Sequence, residues 1–146
     1  MNTETNHNNN TKFKADPYNP NNTLISYDDV LHIFQQMNMK DFKPQTLSHY
    51  QLAFKHKSYC VMKDYEEYEK PDNCLELQTK SYETIEYLGD SLLGCMTAEY
   101  LYRRFKNQDE GFLTKIKTRI VNGEQLGYLA TCLDFNKHLI IFFLYV

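Results

Sequence analysis

The chain has 146 residues, 42% of them hydrophobic and 14% aromatic, with twelve tyrosines, nine phenylalanines and no tryptophan. That is enough apolar material for one domain with a core, and too little chain for two. A formal charge of −3 excludes a protein that coats nucleic acid by bulk positive charge, so any contact with phosphates has to be local or carried by cations.

Residues 1–23 contain "NHNNN" and "NPNN" and almost no apolar side chains. Such a composition predicts a disordered Asn-rich tail ahead of a domain over 24–146. Ser26 and Asp29 then form a capping box without its usual Glu, and Val30, Leu31, Ile33, Phe34 and Met37 follow at helical spacing. Pro44 marks the start of a second helix through Leu47, Tyr50, Ala53 and Phe54. Residues 58–80 lose periodicity, carry mixed charge and include Pro71, and are predicted to be an extended surface loop or insertion.

The longest periodic segment runs from Tyr82 to Phe105, with Ile85, Leu88, Leu92, Met96 and Leu101 assigned to its apolar side. "NQDEG" interrupts it. Phe112 to Val121 forms another helix, and Asn122 with Gln125 caps a last one through Leu126, Leu129 and Leu133. The pattern predicts an all-α architecture of about five helices, with a strand conceivable only in the closing apolar run. That run, "LIIFFLYV", is too short to span a bilayer, and no apolar leader precedes the domain. The expectation is a soluble intracellular protein, cytoplasmic or nuclear, with no membrane partner and no nucleotide cofactor. Cys60, Cys74, Cys95 and Cys132 form no C-x-x-C pair, which disfavours zinc and a disulfide framework.

One stretch concentrates charge at a cost. "YETIEYLGDSLLG" (82–94) sets Glu83, Glu86 and Asp90 at spacings of three and four, with Gly89 in mid-run. Like charges at helical neighbour spacing cost a few tenths of a kcal/mol per pair, and a mid-helix glycine about 0.5–1 kcal/mol. Carboxylates one turn apart suit a hard divalent cation that keeps open positions for water and phosphate. A solvated acidic face has the same spacing, so spacing leaves both readings open.

The residue identities go further. "ETIEYLGDS" resembles the signature of the ribonuclease III family, and the resemblance extends to "LAFKHKS" (52–58), "AEYLYRRF" (98–105), "DEG" (109–111) and "LTKIKTRIVNGEQLGYLA" (113–130). It covers about residues 45–139. It implies an all-α endonuclease-domain fold, a homodimer, and Mg²⁺-dependent cleavage of double-stranded RNA, with Mn²⁺ as a substitute. By position in the motif, Glu86 and Asp90 are catalytic and metal-binding, Glu83 is a further metal or substrate acid, and Glu110 lines the substrate valley. Lys115, Lys117 and Arg119, with Arg103, Arg104 and Lys106, are candidates for RNA phosphate contacts, or simply solvate two helix faces.

The chain departs from the family pattern at its end. After Asp90 the remaining acids are Asp109, Glu110, Glu124 and Asp134, and none begins the D-x-x-E helix with which the family completes its site. A double-stranded-RNA-binding domain is also absent. The expectation is a domain incomplete at its C-terminus, a truncated form or a fragment of a longer nuclease. The alternative to an active endoribonuclease is a catalytically incomplete RNA-binding or dimerisation module.

Overall fold

The computed structural model describes residues 16–65 and 67–142. Five α-helices are formed: α1 (Tyr27–Gln36), α2 (Leu47–Ala53), α3 (Glu83–Arg104), α4 (Glu110–Ile120) and α5 (Gly123–Cys132). Short 3-10 turns lie at Lys57–Tyr59, Lys63–Tyr65 and Phe135–Lys137. Among the described residues the only extended pairings are two isolated parallel bridges, Lys55 with Ile140 and Cys60 with Gln78. The all-α expectation holds.

Helix α1 starts where its cap dictates. The Ser26 hydroxyl accepts from the Asp29 N–H at 3.1 Å, and the Asp29 carboxylate accepts from the Ser26 N–H at 2.9 Å. Aspartate therefore closes the capping box in place of glutamate. The Ser26 hydroxyl, which donates to the Asp29 carboxylate at 2.6 Å, and then the Ser26 N–H hold the Asp29 carboxyl below its ordinary range. Val30 and Ile33 of α1 join Ile25 in a buried cluster, packed by Phe34, Leu47, Tyr50, Phe54 and Phe135. Helix α2 begins at Leu47, three residues beyond the Pro44 start, because residues 42–46 are irregular.

The structure adds detail to two regions read from composition. Residues 16–23, assigned to the tail, are part of the fold, whereas residues 1–15 of that tail lie outside the described residues. Asn19 and Asn22 are each 6% exposed. Their side-chain amides donate to the Ile141 carbonyl at 3.1 and 2.8 Å, and the Asn22 side-chain carbonyl accepts the Ile141 N–H at 3.2 Å. An asparagine offers donor and acceptor at once, so it completes an exposed backbone edge as a strand neighbour would. The segment is held by this polar pairing together with the buried Pro17, and composition does not register either.

The second region is residues 58–80. This segment is irregular, yet it carries Tyr59, which is 0% exposed and whose hydroxyl donates to the Leu75 carbonyl at 2.8 Å. Backbone bonds from Val61 to Gln78 and from Gln78 to Tyr59, each 2.9 Å, fold the segment back on itself. The loop is thus anchored by one buried aromatic and one isolated bridge, while most of its described residues are exposed or half-buried.

The start of the closing apolar run pairs in extended fashion. Ile140 is 1% exposed, donates to the Phe54 carbonyl at 2.9 Å and accepts from the His56 N–H at 3.0 Å. Residues 143–146 of that run lie outside the described residues. The "HKS" of residues 56–58 also has a job here. The Ser58 N–H donates to His56 Nδ1 at 3.1 Å, and the Ser58 hydroxyl accepts the Phe142 N–H at 3.1 Å. No helix among the described residues is long and apolar enough to cross a membrane.

Candidate active site on the first turns of α3

The Tyr82 N–H donates to the Lys55 carbonyl at 2.8 Å, which fixes where α3 leaves the segment after α2. The 22-residue helix that follows presents two different sides. At about 100° per residue, Asp90, Gly94, Thr97 and Leu101 fall within about 60° of one another, and Glu86 borders them. Leu101 is buried, and Gly94 and Thr97 are half-buried, so this stripe faces α4. Leu88, Leu92 and Met96 occupy the opposite side and are 56%, 54% and 67% exposed. The sequence expectation put Leu101 on their side; the structure separates them and buries only Leu101.

The acids are therefore at the open end of a packed seam. Glu86 and Asp90 are exposed and one turn apart. Glu86 also lines an apolar cleft of about 510 Å³ between α2, α3 and α5, together with Ala53, Ile85, Leu126 and Leu133. Glu83 is drawn elsewhere. Its carboxylate accepts from the Ser81 hydroxyl at 3.0 Å and pairs with the Lys57 ammonium at 3.4 Å. The Ser81 hydrogen bond, then Lys57, hold its carboxyl below the ordinary range. Neither partner was singled out in the sequence, although Lys57 lies inside the "LAFKHKS" stretch.

Glu110 is not brought to Glu86 and Asp90. It opens α4, where its carboxylate accepts from the Thr114 hydroxyl at 2.9 Å. Helix α4 runs antiparallel to α3: the Phe105 and Phe112 rings meet edge-on at 5.5 Å, and Lys117 reaches back to Gly94. Glu110 thus lies beside the far end of α3, on the order of 15 Å along the axis from Asp90. Asp109 caps α4 by accepting from the Phe112 N–H at 2.8 Å, and Asn122 caps α5 by accepting from the Gln125 N–H at 2.9 Å.

Among the described residues, no three His, Cys, Asp or Glu side chains come together in a way that could hold a metal ion. Two carboxylates do stand together, and their oxygen chemistry fits Mg²⁺. That ion keeps several waters and commonly takes one or two carboxylates plus substrate phosphate.

The described helices form an all-α domain with a carboxylate pair at the start of its longest helix. Residues 83–142 match the family described as ribonuclease III domain. A probable ribonuclease 3 of Acanthamoeba polyphaga mimivirus is 31% identical over 127 residues, which is 85% of this chain and 24% of its own length. A ribonuclease 3 of Flavobacterium psychrophilum is 33% identical over 114 residues, 78% of this chain and 42% of its own. One from Chlorobium luteolum is 49% identical over 63 residues, 43% of this chain and 23% of its own. The chain belongs to the ribonuclease III family. It spans less than half the length of these curated relatives.

Proposed function

We propose that this chain is an endoribonuclease module acting on double-stranded RNA, with a divalent cation held by Glu86 and Asp90. The observation that carries this reading is the placement of those two carboxylates, exposed and one turn apart, where the α3–α4 seam opens. A divalent ion bound there supplies an activated water and neutralises charge on the phosphate being cleaved. The side chains do the rest. Glu86 and Asp90, one turn apart, would offer their oxygens to one ion, and Glu83 pairs instead with Lys57. An A-form duplex is read by shape, phosphates and 2′-hydroxyls, so little sequence preference is expected.

The test is cleavage of a long RNA duplex with Mg²⁺ or Mn²⁺. Asp90→Asn is expected to abolish cleavage, and Glu83→Gln to leave most of it. Cleavage undiminished in Asp90→Asn overturns the reading. A second reading, a non-catalytic module that binds RNA, is favoured by the absence of a third carboxylate beside the pair among the described residues. Duplex binding without any Asp90-dependent cleavage selects it.

The exposed side of α3 supports self-association. Leu88, Leu92 and Met96 form an uncovered apolar strip of the kind that marks an interface, with Tyr87, 79% exposed, off to one side. A homodimer across this strip predicts that Leu92→Lys lowers the mass measured by light scattering to that of one chain. A wild-type chain that is monomeric at high concentration removes the dimer from the reading.

A further inference from the structure

Three cations of α4 were candidates for phosphate contacts, and helix geometry separates them. Lys115 and Arg119 are four apart and share a face, while Lys117 lies about 200° from each. Lys115 and Arg119 are exposed; Lys117 is half-buried. Its ammonium rests on α3 over Gly94: a Cβ placed on that glycine would meet Lys117 Nζ at 3.6 Å and Cε at 4.0 Å. Both are ordinary contact distances, so the lysine stem lies along α3 at this point. Gly94 is four residues beyond Asp90 on one stripe, about 6 Å along the axis. Among the described residues Lys117 makes no ion pair within 4.0 Å, unlike Lys57, Lys70, Arg103 and Lys137.

We propose that Lys117 is the phosphate-binding cation of this site, its ammonium holding a non-bridging oxygen of the RNA backbone beside Glu86 and Asp90. The inference rests on the nuclease reading above. An ammonium in a seam is partly stripped of water, and from the Gly94 it covers Asp90 lies one turn and Glu86 two turns back along α3. A phosphate entering between them satisfies both the lysine and a cation on the carboxylates. Lys115 and Arg119, directed away from the seam, contact solvent.

The experiment uses the full chain, a fluorescently labelled RNA duplex and EDTA, so that binding is read without cleavage. Affinity is measured by anisotropy across a range of KCl for wild type, Lys117→Met, Lys117→Arg, Lys115→Met and Arg119→Met. Methionine keeps the packing stem and removes the charge. Lys117→Met is expected to weaken binding several-fold and lower the salt slope by about one, with Lys117→Arg restoring both. Lys115→Met and Arg119→Met are expected to stay close to wild type. Wild-type binding that is matched in affinity and slope by Lys117→Met overturns the inference and leaves the nuclease reading standing. A wild type that does not bind duplex sinks the nuclease reading itself. Should Lys117→Met fail to fold, lysine acetylation of the wild type with and without duplex decides the matter. Protection of Lys117 supports the site, and unchanged labelling overturns it.

Discussion

Two parts of this molecule solve the folding problem differently. In the first, residues 16–26, helix α1, the 54–60 segment and residues 140–142 come together from distant points of the chain. Ile25, Val30, Tyr59 and Ile140 are each at most 1% exposed there. In the second, α3, α4 and α5, Leu101 alone is buried, and Tyr87, Leu88, Leu92, Met96, Tyr100, Tyr128 and Leu129 lie open. The first part holds the domain together. The second holds the carboxylates and leaves much of its apolar helical surface exposed. The buried core and the candidate site thus occupy different regions, joined at the Tyr82–Lys55 hydrogen bond and the Lys57–Glu83 pair.

That division can be tested by substitution. Ile140→Ala removes a fully buried side chain from the first part and is expected to cost about 2–5 kcal/mol. Leu92→Ala, on α3, is expected to fall within about 0.5 kcal/mol for the monomer. Urea midpoints compare the two, and an equal loss would erase the distinction. Asn22→Ala deprives the Ile141 backbone of its buried partner. The expected cost is about 1–3 kcal/mol, with faster amide exchange at Ile141; exchange unchanged from wild type would show the asparagine clasp to be incidental.

Ser26→Ala, which removes the α1 cap, is expected to cost about 1 kcal/mol, measured in the same denaturation series. The smallest effect is electrostatic. Asp29 and Glu83 have carboxyls depressed below ordinary values of 3.8 and 4.5. Their contribution is therefore complete above those values and is lost as pH falls through the depressed ones. Acid titration followed by NMR is expected to show both protonating late, and Ser81→Ala to raise the Glu83 midpoint. A Glu83 that titrates at or above its ordinary value would detach it from Ser81 and Lys57.

Much of this fold was legible in the chain. The Ser26, Asn122 and α3 patterns gave helices within a few residues of their observed bounds, because caps and 3.6-residue periodicity are local. The Glu86–Asp90 pair was legible for the same reason: one turn of helix brings i and i+4 together without help from anything else. Local patterns failed where the partner was far away. The Asn19 and Asn22 side chains, read as tail, bond a carbonyl more than a hundred residues distant. The apolar residues of α3 gave a helix but not its inner side, since which stripe is covered depends on where α4 packs.

The sequence by itself determined the helices, the carboxylate pair and the family, since each of these rests on neighbours within one or two turns. Only the tertiary structure decided what surrounds each acid. It turned Glu83 to Lys57, left Glu110 at the other end of α4, and laid Lys117 on Gly94 beside the pair. Those outcomes depend on how the helices meet in space, and spacing along a single helix carries no information about that.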